Sequence, residues 1–180
     1  MSKAIKWTAN DIPDQTGRVA IVTGANSGSG YETALALAGK GATVIMACRN
    51  LDKANAAADQ IRRTNPAGQV VVLQLDLGDL DSVRNFATEF QASYDRLDLL
   101  INNAGIMAPP YGKTAQGFES QFGVNHLGHI ALTGLLLDLI LTMPGSRIVT
   151  VSSVMHRAGT IGFDDLQWET RSYSANAAYG

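Results

Sequence analysis

Five short runs, RVAIVT (18–23), ATVIMAC (42–48), QVVVLQLD (69–76), LDLLIN (97–102) and RIVTVSS (147–153), are almost continuously apolar and rich in Val, Ile and Leu. A strand with one wet face alternates polar with apolar residues, whereas a run that is apolar throughout is covered on both faces. Segments of helical length lie between them, at roughly 29–39, 51–64, 79–94 and 115–142. The third sets Leu80, Val83, Ala87 and Phe90 on one face behind Asp79, a capping residue type. Strand and helix in strict alternation imply right-handed βαβ crossovers. The predicted class is therefore α/β, a doubly wound parallel sheet with helices on both faces and a ligand crevice at the carboxyl ends of its strands. A chain of 180 residues, 46% hydrophobic, without repeat or linker, suits one domain of this kind.

Charge and cysteine content narrow the function. Fourteen Lys and Arg against 16 Asp and Glu give a net charge of −2, and no basic stripe is present that would neutralise a row of phosphates. Nucleic acid is not an expected partner. Cys48 is the sole cysteine, so neither an internal disulfide nor a thiolate zinc site can form, as suits a reducing, cytoplasmic setting. The start, MSKAIKWTANDIPDQTG, lacks the apolar core of a signal peptide. The longest apolar stretch, ALTGLLLDLILTM, is short for a bilayer and contains Asp138, so no membrane span is expected.

The segment TGANSGSG (23–30) joins the first predicted strand to the first predicted helix. Glycine is costly in an ordered element and is tolerated where the backbone turns left-handed or something must approach it closely. Backbone N–H groups and the positive end of the helix dipole converge above such a turn, which suits a diphosphate. The spacing is not G-x-G-x-x-G, and no Lys-Ser/Thr follows as a P-loop requires, so taken alone the turn also has a purely structural reading.

Gly24, Gly28 and Gly30 of that turn, Asp76 in LDL, NNAG at 102–105, Asn125 in VNHLGH and Ser153 in VTVSS together resemble the ordered motifs of the short-chain dehydrogenases/reductases. The resemblance runs from about residue 17 to the end, and WTANDIPDQTG, NNAGIMAPP, NHLGH and FDDLQ are similar to its retinol-dehydrogenase-like and protochlorophyllide-reductase-like branch. It implies an N-terminal extension at 1–16 and an NAD(P)-binding Rossmann-type domain at 17–180 that is incomplete at its C-terminal end. The cofactor residues it implies are Gly24, Asn26, Ser27, Gly28, Gly30, Arg49, Asp76, Leu77, Asn102, Ala104 and Gly105. Asp76 would accept from the adenine amino group or merely cap the turn before LGDL. Asn102 to Gly105 would meet a ribose and its phosphate. At the end of the second strand, ACRN places Cys48 where an NAD-preferring member has an acid, while Arg49 can pair with a 2′-phosphate; the implied cofactor is NADP rather than NAD. In the bland alternative, Arg49 only solvates the strand end.

The same resemblance implies hydride transfer between the nicotinamide and a carbonyl or alcohol carbon. Asn125 would hold a relay water. Ser153 would orient the substrate oxygen, chosen over Ser152 because strand alternation separates the two faces. A tyrosine would carry the alcohol proton, tuned by a lysine four residues later. Tyr173 is followed by Ala177 at that spacing and drops out; Tyr179, in NAAYG, fits, but the sequence stops at Gly180. The expectation is therefore a fragment of a longer enzyme that is inactive by itself and whose completed form could pair with a second copy. The alternative is a truncated, non-catalytic nucleotide-binding or interaction module; an epimerase or nucleotide sensor on a similar fold fits Asn125 and Ser153 less well. Ser29 stands where the family has Ile or Leu packing the first helix on the sheet, which would weaken cofactor affinity. His126 and His129 lack a third ligand, so no metal is assigned to them.

Overall fold

The computed structural model describes residues 7–64 and 67–180. Part of the expected N-terminal extension, residues 1–6, lies outside them. Five strands, β1 (Val19–Thr23), β2 (Thr43–Cys48), β3 (Gln69–Gln74), β4 (Leu99–Asn102) and β5 (Arg147–Thr150), form one parallel sheet in the order β3-β2-β1-β4-β5. The helices between them are α1 (Gly28–Gly39), α2 (Leu51–Thr64), α3 (Leu80–Ser93) and α4 (Gly128–Thr142), with a short α5 (Ala175–Tyr179) near the end. The chain winds outward from β1 to β3, then returns to β4 on the opposite side of β1. That reversal opens a crevice between the carboxyl ends of β1 and β4.

Alternation along the central strands divides the core in two. Ala20, Val22, Val44 and Met46 pack with Ala34, Ala58 and Ile61 on the α1/α2 face. Ile21, Ile45 and Leu100 pack with Val83, Phe86, Phe90, Leu132 and Leu136 on the α3/α4 face. Phe86 thus joins the apolar face of α3 read from the sequence, while Leu80 is only half-buried. Asp79 caps α3 as expected, accepting from the Asp81 N–H at 3.0 Å.

Two boundaries differ from the sequence reading in ways that bear on the site. The helix expected from 115 begins at Ser120, because Gly117, at φ +86°, closes a turn with Thr114 first. A π-helical segment, Phe122–Leu127, then leads directly into α4. The fifth strand ends at Thr150 rather than 153, since Ser153 turns to cap a 3₁₀ turn at Val154–Ala158. That strand is also exposed along its length, with Ile148 40% and Val149 45% accessible, so it is not buried on both faces as its composition suggested. Finally, the continuous helix Phe122–Thr142 is long and apolar enough, by length and composition, to cross a membrane. In the fold its Leu132, Leu136 and Ile140 are core residues against α3.

One buried carboxylate ties the base of the sheet. Asp98 is 3% exposed and accepts from the Val19 N–H at 2.8 Å and from Arg96 Nε and Nη2 at 2.9 and 2.7 Å. Burial by itself would raise its pKa, but the guanidinium and the Val19 N–H bind the charged form and hold it below the usual carboxylate value. A depressed folded pKa gives stability that is present above the unfolded pKa and is lost as pH falls through the acid range below about 4. Asp98→Asn is expected to cost about 1.5–3 kcal/mol near neutral pH, read as a lower urea midpoint, with the difference from wild type shrinking in acid. A midpoint that does not change would rule out this role.

Candidate active site

The glycine turn leaves β1 at Thr23 and enters α1 at Gly28, with Gly24 at φ +65° and Gly28 at φ +56°. Each glycine is required for a different reason. A Cβ on Gly24 would lie 3.0 Å from Ala104, and one on Gly30 would lie 2.5 Å from both the Gly24 carbonyl and Asn103 Nδ2. A Cβ on Gly28 would meet nothing within 4 Å, since it would enter open space. The N-cap Ser27 makes no side-chain cap, so the first N–H groups of α1 are not satisfied by it.

That open space is a cleft of about 340 Å³ lined by Gly24, Asn26, Ser27, Gly28, Ser29, Cys48, Arg49, Asp76, Leu77 and Asn103 to Ile106. Of the eleven residues implied as cofactor contacts by resemblance, Gly30 and Asn102 do not line it. Gly30 is packed beneath the turn. Asn102 turns its amide toward Thr133 and Thr150, at 3.2 and 3.5 Å, and its buried Oδ1 has no partner. Asp76 divides its capacity: Oδ1 takes up the Gly78 N–H at 2.8 Å, which is the turn-capping role, and the carboxylate still lines the cleft. Arg49 is exposed at the end of β2 and joins none of the ion pairs among the described residues. Cys48 is buried beside it, and burial pushes its thiol up, keeping it neutral. Unfilled helix N–H groups, an open left-handed glycine, a free guanidinium and a carboxylate acceptor together fit a dinucleotide.

A second cleft of about 270 Å³ adjoins the first and shares Asn103, Ala104 and Gly105 with it as a common wall. Its other lining residues include Asn125, His129, Ser152, Ser153, His156 and Tyr179. The structure thus brings Asn125, Ser153 and Tyr179 to one place from an unwound helix turn, a strand exit and α5. Asn125 is gripped at both ends of its amide by Ile106, accepting from the N–H at 2.8 Å and donating to the carbonyl at 2.9 Å. The alternation argument that separated Ser153 from Ser152 does not apply, because both lie past the end of β5 and both line the cleft. Tyr173 sits elsewhere: its hydroxyl donates to buried Glu119 at 3.0 Å and accepts from Gln121 at 2.9 Å. Burial pushes that phenol up, the Gln121 contact offsetting it in part.

Three side chains shape these clefts in ways that sequence reasoning did not give. Thr23, fully buried, accepts from the N–H groups of Asn103 and Ala104, both at 2.9 Å. Its signal was a hydroxyl at the last position of an otherwise apolar strand. Ser29 is exposed at the cleft and donates to Asn103 Oδ1 at 2.7 Å; it makes a polar tie across the crevice where the resemblance led us to expect lost helix packing. His129 is 4% exposed and bonded at both ring nitrogens, whereas His126 is exposed and stacked on Phe122. Among the described residues, no three His, Cys, Asp or Glu cluster as a metal site would require.

The chain is 51% identical over 163 residues to retinol dehydrogenase 13 of Homo sapiens and 53% identical to retinol dehydrogenase 11 of Mus musculus, in each case over 91% of this chain. It spans about half the length of these relatives, 49% and 51%. Among solved structures, an uncharacterized protein from Mycobacterium paratuberculosis is 53% identical and superposes with a TM-score of 0.83, covering 96% of this chain and 60% of that one. A short chain dehydrogenase from Shigella flexneri complexed with NADP is 28% identical, with a TM-score of 0.70 over 91% of this chain and 65% of its own. The short chain dehydrogenase family model matches residues 18–164, which hold the whole sheet and the glycine cleft, and the chain belongs to that family of oxidoreductases.

Proposed function

We propose that this chain forms the nucleotide-binding half, and part of the reaction centre, of an NADP-dependent oxidoreductase that interconverts an alcohol and a carbonyl compound. The observation that carries the reading is the shared wall: Asn103 to Gly105 border both the cleft with the glycine turn and Arg49 and the cleft with Ser153 and Tyr179. NADP, when bound, supplies or accepts the hydride. In the reducing direction the Tyr179 hydroxyl would give its proton to the carbonyl oxygen, and in the oxidising direction it would take the alcohol proton back. Ser153 would orient the oxygen through its hydroxyl, and the Asn125 turn would hold the relay from which Tyr179 is reprotonated. In the family a lysine four positions after the tyrosine completes the set, and in this numbering that position lies past Gly180.

For the substrate, the similarity to retinol dehydrogenases favours an alcohol or aldehyde with a long apolar body. A third cleft, of about 260 Å³, lies against Tyr179 and is lined by Phe122, Ile161, Leu166 and Trp168 together with Glu119, His126 and Arg171. Its apolar side chains suit such a body, and its polar ones suit an oxygen-bearing end.

Cofactor preference is the test. If Arg49 meets a 2′-phosphate, calorimetric titration of the chain should show NADPH binding more tightly than NADH. Arg49→Ala should then erase most of the gap by removing a charge-assisted contact worth about 1.5–3 kcal/mol. Equal affinities for the two nucleotides in the unmutated chain would sink the assignment.

A further inference from the structure

The reading of the two clefts gives no task to His129, a buried ionisable side chain that lines the second. Its Nε2 lies 2.9 Å from Thr23 Oγ1 and its Nδ1 lies 2.9 Å from the main-chain carbonyl of Asn125. Hydrogen-bond counting fixes where its proton sits. A threonine hydroxyl has one hydrogen and two lone pairs. Both lone pairs of Thr23 are taken by the N–H groups of Asn103 and Ala104, at 2.9 Å each. Only the hydrogen remains, and it can go to His129 Nε2 at 2.9 Å or, at a poor 3.4 Å, to the Ile101 carbonyl. Nε2 must therefore accept. The Asn125 carbonyl can only accept, so Nδ1 must donate. Both ends of the ring demand the same neutral form. Burial independently favours the neutral ring by pushing the imidazole below its usual value, with the Asn125 carbonyl only partly offsetting this.

Resting on the cofactor and reaction clefts proposed above, we propose that His129 is a positioning residue of the reaction centre: protonated on Nδ1, it locks the Asn103–Gly105 wall, through Thr23, to the Asn125 turn. By drawing the Thr23 hydrogen away, it leaves both Thr23 lone pairs aimed at the wall's N–H groups. By donating to the Asn125 carbonyl, it holds a turn whose π-helical winding has widened the ordinary ladder, a feature that recurs at functional sites. No other side chain among those described bonds to both Thr23 and Asn125.

The test uses the chain with ¹⁵N-labelled histidine, and NADPH as the probe. Long-range ¹H–¹⁵N spectra near neutral pH should show the His129 proton on Nδ1. His129→Leu should lower the exchange protection of the Asn103 and Ala104 amides and weaken NADPH roughly tenfold, the loss of about one buried hydrogen bond. In a Thr23→Val background His129→Leu should cost less than about twofold more, because the link from His129 to the wall runs through Thr23. His129→Gln, which can place an acceptor near Thr23, should restore the amide protection. Ile140→Val, a core change far from the clefts, should lower thermal stability without changing NADPH affinity. A proton on Nε2, a charged ring at neutral pH, unchanged amide protection in His129→Leu, or additive effects of the two substitutions would each overturn the proposal. If the unmutated chain bound neither NADPH nor NADH, the cofactor reading would fall, while the tautomer and the amide protection would still decide the His129 link.

Discussion

In a form extended to the length of the retinol dehydrogenases, Tyr179→Phe is expected to reduce NADPH-dependent carbonyl reduction by roughly 10²–10⁴-fold, the range typical of a lost general acid. NADPH affinity should stay within about twofold, because Tyr179 lines the second cleft and not the glycine cleft. The measurement is NADPH consumption against a panel of apolar aldehydes and ketones. The 180-residue chain should bind the nucleotide yet turn over slowly, since the lysine position that completes the family's proton-transfer set is not among its residues. Full activity in Tyr179→Phe, or equal turnover at both lengths, would displace Tyr179 from this role. The extended form should also be the more soluble. In the 180-residue chain Ile148 and Val149 of the edge strand β5, together with Leu141 of α4, leave an apolar surface open to solvent.

The second large effect is at the glycine turn. Gly28→Val should weaken NADPH by at least about 100-fold, which corresponds to about 2.7 kcal/mol of lost binding free energy. Two causes act together. The branched side chain would occupy the open space above the turn where a pyrophosphate approaches the first N–H groups of α1. It would also sit at φ +56°, where a β-branched residue is strained by about 1–3 kcal/mol. The strain should lower thermal stability modestly, while far-ultraviolet circular dichroism retains the helical signal. Binding and helix content should therefore part company. Unchanged NADPH affinity would mean that the turn serves the fold alone.

How much of this was legible beforehand depended on the range of the interaction involved. Strand alternation, the capping Asp79 and the glycine spacing are local or periodic signals, and each survived in place. The helix expected from 115 failed because Gly117 and Thr114 close a turn that apolar content alone does not reveal. Strand β5 carries the β-branched residues of a buried strand, but its accessibility depends on which neighbours cover it in space. Ser29 illustrates the same point: its tie to Asn103 spans 74 positions of the chain and has no local signature.

The sequence by itself determined the α/β alternation, the five strands, the glycine turn at the end of the first, and the family to which these motifs belong. These follow from periodicity of two or 3.6 residues and from backbone conformations that glycine and a few polar residues favour, all set within one or two turns of chain. Only the tertiary structure decided that the Asn103–Gly105 wall serves both clefts, that Asp76 spends one oxygen on its own turn, and that Asn102 faces away from the glycine cleft. It alone decided that His129, one of two histidines in NHLGH, is the buried one with its proton assigned by Thr23, 106 positions earlier. Those outcomes depend on which donors and acceptors are left over once the backbone ladders are satisfied. That count can be made only after residues distant in the chain have been brought within hydrogen-bonding range.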